Sequence, residues 1–257
     1  HRIHGGKPMS DLSDQLSPLN RLDPSELIQS DLPMPTSIPR GLLLWLTVGP
    51  AGAVLFTITY LIEGAIRPGY NAWQQPISAL SLGVGGWMQQ VNFVVFGICT
   101  LCMAFAWRKV LKGSAYALVY PIIRGIEGLT IILVGFFSQD PAPGYPPGTV
   151  LTTHTLHGEI HIIGAFGIFG MITLGLFVIA WRFAGDPRWR GWVAYSVISG
   201  LLVLVFLAIF AVAQNPHSVF TGYGGLIERL TASIETVWEI LLLACLWAGT
   251  EFMRSTT

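Results

Sequence analysis

From about residue 42 the chain alternates long apolar stretches with short polar ones. Six stretches stand out, at about 42–65, 87–107, 115–137, 156–182, 191–213 and 226–252. A membrane-crossing helix needs roughly 20 largely apolar residues, and each stretch reaches that length. None alternates with period two, as a barrel strand does. None carries the polar face that a helix of a soluble bundle needs. The pattern predicts an all-α fold, a polytopic membrane protein of six transmembrane helices spanning 41–254 as one domain. Residues 1–40 are different, being polar and rich in Ser, Asp and Pro. They read as a mobile cytoplasmic arm with one short helix near Pro24 to Gln29. The opening His1–Pro8, ahead of Met9, reads like a vector-derived remnant and is excluded from site reasoning (1–8). The arm has no apolar core of signal-peptide type.

Composition agrees with this reading. Soluble domains carry about 25% charged residues; this chain carries 11%, with 52% hydrophobic residues and a mean hydropathy of +0.60. A disordered chain, a disulfide scaffold and an ordinary soluble enzyme are excluded. With 14 basic and 14 acidic residues the formal charge is zero, so no nucleic-acid partner is expected. Cys99, Cys102 and Cys245 lie in apolar runs and read as reduced core residues. Lysine and arginine set the expected orientation. One side holds Arg40, Arg108, Lys109, Lys112, Arg182, Arg188, Arg190 and Arg254, against Arg67 and Arg229 on the other. Both termini are therefore expected in the cytoplasm. Trp87, Trp107, Trp181, Trp189 and Trp192 fall at span ends, where interfacial aromatics belong.

The candidate chemistry gathers on the expected outer side. Apart from His1 and His4, the histidines are His154, His157, His161 and His217, all in outer loops or the outer turns of the fourth span. Spacings of three and four place His154, His157 and His161 on one helix face. His157 and His161 have the H-x-x-x-H spacing of a metal pair, and zinc is the expected metal, with His154, His217 or Asp140 as third ligand. Glu159 points about 200° from His157 and reads as a carboxylate complementing the helix amino end. Asp140 is the candidate general base. Ser78, in a loop segment expected to lie on or dip into the interface, is a candidate to orient substrate. No G-x-S-x-G elbow supports a hydroxyl nucleophile.

A second group lies within the membrane. Arg124 and Glu127 sit one turn apart in the third span, and Glu235 and Glu239 one turn apart in the sixth. Charges at that depth are costly and are functional or paired. All four are expected to meet in the bundle core. One arginine cannot neutralise three carboxylates, so protons or a cation must complete the balance. Glu63 and Arg67, four apart, read as a plain surface pair.

Several short strings occur in a fixed order: Gly69-Tyr70-Asn71 leading to Ile77-Ser78-Ala79-Leu80, Gly86-Trp87-Met88-Gln89 with Asn92-Phe93, Phe136-Phe137-Ser138-Gln139-Asp140-Pro141, His157-Gly158-Glu159-Ile160-His161, and Gly225-Leu226-Ile227-Glu228-Arg229-Leu230. Together they resemble a bacterial family of six-span membrane proteins catalogued as domain of unknown function 998, over roughly residues 42 to 252. The resemblance implies a bacterial inner (plasma) membrane location and one outer constellation of Ser78, Asp140, His157 and His161. It implies no activity. The residue types also resemble those of alkaline ceramidase and progestin-receptor-like membrane hydrolases, which set Ser, Asp and three His around zinc but have seven spans.

Two functions follow as expectations. The first is a zinc-dependent hydrolase acting on a lipid or other amphiphile at the outer face, the metal lowering the pKa of a bound water. The second is a non-enzymatic bundle for lipid binding, transport or partner binding, worked by Arg124, Glu127, Glu235 and Glu239. Neither a haem nor a nucleotide is expected: the deep histidines all come from one span, whereas haem between helices takes a histidine from each of two. A carboxylate-bridged metal pair is a minor third reading, with no E-x-x-H motif to support it.

Overall fold

The computed structural model describes residues 34–35, 37–113, 116–151, 154–215 and 217–255. The arm's expected helix near Pro24 to Gln29, with the remnant before it, lies outside them. Among the described residues there are six α-helices and no β-strand. They are α1 (Arg40–Ile66), α2 (Gly86–Val110), α3 (Tyr116–Phe136), α4 (Leu156–Ala184), α5 (Arg190–Ala213) and α6 (Gly224–Ser255). All six are long and apolar enough to cross a membrane. In lipid only a helix or a closed barrel satisfies every backbone N–H and C=O. Stretches that are apolar all round can therefore form only helices there.

Each helix packs on its neighbour in sequence, and α6 returns to α1, so the six form a closed ring. Between α2 and α3 the approach is close: a Cβ on Gly97 would run into the Gly128 carbonyl, and one on Gly128 into the Gly97 carbonyl. Lipid gives no hydrophobic drive to helix pairing, so such small-residue contacts supply the packing. The loop between α1 and α2 folds inward as a short 3-10 helix, Ile77–Ser81, whose five residues are all buried. It packs on α1, α2 and α6 and closes one end of the ring. The segment expected at the interface is thus a plug inside the bundle.

At the opposite end, Met34 and Ile38 are buried in the core beneath Trp107, Leu111 and Phe183. The Met34 N–H donates to Asp186 in the α4–α5 turn. Asp186 also accepts from Arg188 at 2.6 Å, and those hydrogen bonds hold its carboxyl down to about 2. The last residues of the arm are therefore docked rather than mobile.

Some positions differ from the sequence reading. Trp107 is 3% exposed and meets Tyr120 edge-on, a core residue rather than an interfacial one. Cys245 is exposed on α6, not in the core. Glu63 and Arg67 are not a surface pair. Both side chains are under a tenth exposed and bond at 2.7 Å, and Arg67 also donates to the carbonyls of Val84 and Gly85. The pair fastens the end of α1 to the turn that starts α2.

Candidate functional site

The plug end of the ring carries most of the chemistry. Asp140 lies in the α3–α4 loop and accepts from Thr155 twice, from its N–H at 2.8 Å and its hydroxyl at 2.6 Å. Thr155 in turn caps α4 by accepting from the Gly158 N–H. A Cβ at Gly158 would strike the Asp140 carboxylate, so glycine is needed for this approach. The Thr155 hydroxyl holds the Asp140 carboxyl below the ordinary carboxylate range. Asp140 thus anchors a helix start, as N-terminal carboxylates and caps do. Glu159 lies exposed in that first turn, as expected for a carboxylate complementing the helix end.

The histidines do not share one face. His154 precedes α4, in the extended residues before the cap. His157 is exposed, accepts at Nε2 from the Ser138 N–H at 2.9 Å, and lies against the Phe137 ring. His161 is 2% exposed, and its Nδ1 is 2.6 Å from the Phe137 carbonyl. Two histidines one turn apart therefore clamp Phe137–Ser138. His217 is exposed in the α5–α6 loop, its N–H donating to Asn215. Among the described residues, no three His, Cys, Asp or Glu side chains gather into a set able to hold a metal ion. The expected zinc ligands are spread over a helix cap, a loop clamp and a separate loop.

Ser78, Asp140, His154 and His161 do share one feature: all line a groove of about 350 Å³ that runs between α4 and α5. Ser78 donates to Gln139 Oε1 at 2.6 Å rather than to a histidine. The groove's other walls are mostly apolar, including Ile162, Phe166, Leu207 and Phe210. Behind it is an inner cavity of about 70 Å³. Ser78, His161, Ala165, Phe169 and Glu228 line both. The inner cavity continues to Glu127 and Glu235.

There the buried charges meet. Arg124 Nη1 donates to Glu127 Oε2 at 2.6 Å and to Glu235 Oε1, and Nη2 donates to Glu239 Oε1 at 2.6 Å. All four residues are at most 6% exposed. The carboxylates of α6 reach across the ring to α3, so the cluster occupies its centre. Glu239 lies beyond the inner cavity and lines a separate small pocket with Trp107 and Trp238.

The family described as "Protein of unknown function (DUF998)" matches residues 50–245, well over half of the chain. The chain belongs to the DUF998 family. No curated protein and no solved structure matches it.

Two further residues of this DUF998 protein tie the plug to α6. Glu228 stands near the start of α6. Its Oε2 accepts from the Ile77 N–H at 2.6 Å, fixing the plug to α6, and it lines both cavities. The signal was present: Glu228, Glu235 and Glu239 are spaced seven and four apart, one stripe of a helix. The second is Arg229. It donates to the carbonyls of Ala72, Gln75 and Gly225 and to the Tyr70 hydroxyl at 2.5 Å. Burial pushes the Tyr70 phenol up to about 12, against the opposing pull of Arg229. No local spacing connects Arg229 to a loop more than 150 residues earlier.

Proposed function

We propose that this DUF998 protein is a non-enzymatic membrane bundle that binds or moves an amphiphile. The chain of the amphiphile lies in the α4–α5 groove, and its polar end is handled by the buried Arg124, Glu127, Glu235 and Glu239. One observation carries this reading: the groove and the inner cavity share a wall, and the inner cavity ends on Glu127 and Glu235. A largely apolar cleft of about 350 Å³ with a few convergent polar groups has the make-up of a small-molecule site. Four charged groups held in the centre of a membrane bundle need a functional reason, because lipid makes them costly. A membrane lipid or a related amphiphilic small molecule is the fitting partner.

A second reading retains one supporting observation. Ser78, Asp140, His154 and His161 face the same groove, the set a zinc-dependent hydrolase of the outer face would draw upon. Native mass spectrometry of protein extracted in mild detergent, after removal of His1–Pro8, separates the two. The binding reading expects a bound amphiphile that is lost in Ala165→Phe, which fills the shared wall, and kept in His157→Ala. A zinc adduct lost in His157→Ala/His161→Ala, with no amphiphile retained, would instead favour the hydrolase.

The eight basic residues from Arg40 to Arg254 lie at the helix ends away from the groove. By the positive-inside rule these charges support a topology, in a bacterial inner membrane, with both termini on the cytoplasmic side and the groove at the outer leaflet. Alkaline phosphatase, active only outside the cytoplasm, is expected to be inactive when fused after Thr257 and active when inserted at Gly144. The reverse pattern inverts the topology.

A further inference from the structure

We propose that the inner cavity seats the ammonium head of a single-chain cationic amphiphile. This rests on the binding reading above and names its substrate class. Three observations point the same way.

The first is charge. Arg124 supplies one positive charge to Glu127, Glu235 and Glu239. Glu228 adds a fourth carboxylate at the shared wall. Its neighbour Arg229 is directed at the Ala72, Gln75 and Gly225 carbonyls and the Tyr70 hydroxyl. With these carboxylates ionised, negative charge is in excess around a buried space, where unbalanced charge is costly. A cationic head corrects the excess, a neutral head leaves it, and an anionic head worsens it.

The second is an open acceptor. Glu127 is wholly buried and lines the cavity. Its Oε2 is held by Arg124, while its Oε1 has no hydrogen-bond partner. Among the described residues nothing donates to that oxygen, and a buried acceptor left unmade is expensive. An ammonium carries three donors and suits it.

The third is the rest of the wall. Phe56, Phe93, Phe96 and Phe169 line the same cavity. Aromatic rings attract an ammonium, whereas a bare metal cation draws its coordination from oxygen ligands alone. The cavity measures about 70 Å³, roughly half the ~150 Å³ that admits a benzene. A primary ammonium and its first methylenes fit; a phosphocholine head does not. The alkyl chain continues past Ala165 and Phe169 into the groove.

The test uses the full chain in an uncharged maltoside detergent. It is titrated with dodecylammonium, dodecanol and dodecanoate, following thermal unfolding by tryptophan fluorescence. Dodecylammonium is expected to stabilise saturably, with an apparent affinity at least tenfold above the other two. Glu127→Gln and Glu228→Gln are each expected to shrink that preference at least fivefold. Glu228→Gln keeps an acceptor for the Ile77 N–H, so it tests the charge even if Glu127→Gln does not fold. Equal affinity for the three heads overturns the proposal, as does a preference that survives Glu228→Gln. So does equal stabilisation by sodium chloride alone, which would mark an inorganic cation site. Saturable binding of dodecanol or dodecanoate, with no ammonium preference, leaves the amphiphile reading standing. Binding of none of the three removes both.

Discussion

Replacing Arg124 by methionine is expected to deplete folded protein from the membrane fraction and sharply lower the unfolding temperature of what remains. The substitution leaves Glu127, Glu235 and Glu239 facing one another without their shared donor. Removing one partner from a buried ion group costs about 3–5 kcal/mol, because the charge left behind is uncompensated. That is a large part of the roughly 5–15 kcal/mol that holds a typical domain folded. The companion variant replaces the whole group: Arg124→Met, Glu127→Leu, Glu235→Leu and Glu239→Leu together. With no charge left to bury, its unfolding temperature is expected to recover to near that of the parent, as apolar replacements of buried ion groups can. Amphiphile binding is expected to stay lost. Recovery of both fold and binding would reduce the cluster to a structural feature. An unfolding temperature within a few degrees of the parent for Arg124→Met alone would contradict the cluster's role in the core.

Gly225→Val is expected to unseat the plug. Gly225 lies in the first turn of α6, and a Cβ there would collide with the Gln75 and Ala72 carbonyls. The close approach is used: the Gly225 N–H donates to Gln74 and the Leu226 N–H to Trp73, each at 3.1 Å. Three residues on, Glu228 holds the Ile77 N–H. Overpacking plus the loss of these hydrogen bonds sums to about 2–4 kcal/mol. The loss is local, so hydrogen exchange should rise across residues 71–82 far more than in α2 or α3. Binding should fall with it, since Ser78 and Glu228 line both cavities. Unchanged exchange over 71–82 would show that the plug is held by other contacts.

These two substitutions probe features of very different visibility in the sequence. The meeting of Arg124 with Glu127, Glu235 and Glu239 follows from a single argument: lipid does not tolerate lone charges, so they must find one another inside the ring. The plug obeys no such argument. Its segment is only moderately polar, and its burial depends on Gly225, Glu228 and Arg229, over 140 residues away. The histidines show the same limit. A spacing of three and four describes one helix face only if the helix includes all three, and α4 starts after His154. Glu63 and Arg67 have the spacing of a surface pair, yet the turn at Val84 and Gly85 covers them.

Helical character, six spans of membrane length and the meeting of the charged residues inside them are all legible in the order of the amino acids. The reason is the solvent: hydrocarbon admits only internally bonded backbone and penalises every unpaired charge, so composition and length suffice. Packing in three dimensions is what sets which helix faces look inward, closes the ring through α1 and α6, and joins the groove to the buried cluster through one wall. Of the six, α1, α2, α4 and α5 are apolar on all sides and carry no stripe to mark their inner face. Small-residue contacts such as Gly97 against Gly128, and bonds across the ring from Arg124 to Glu235 and Glu239, choose it instead.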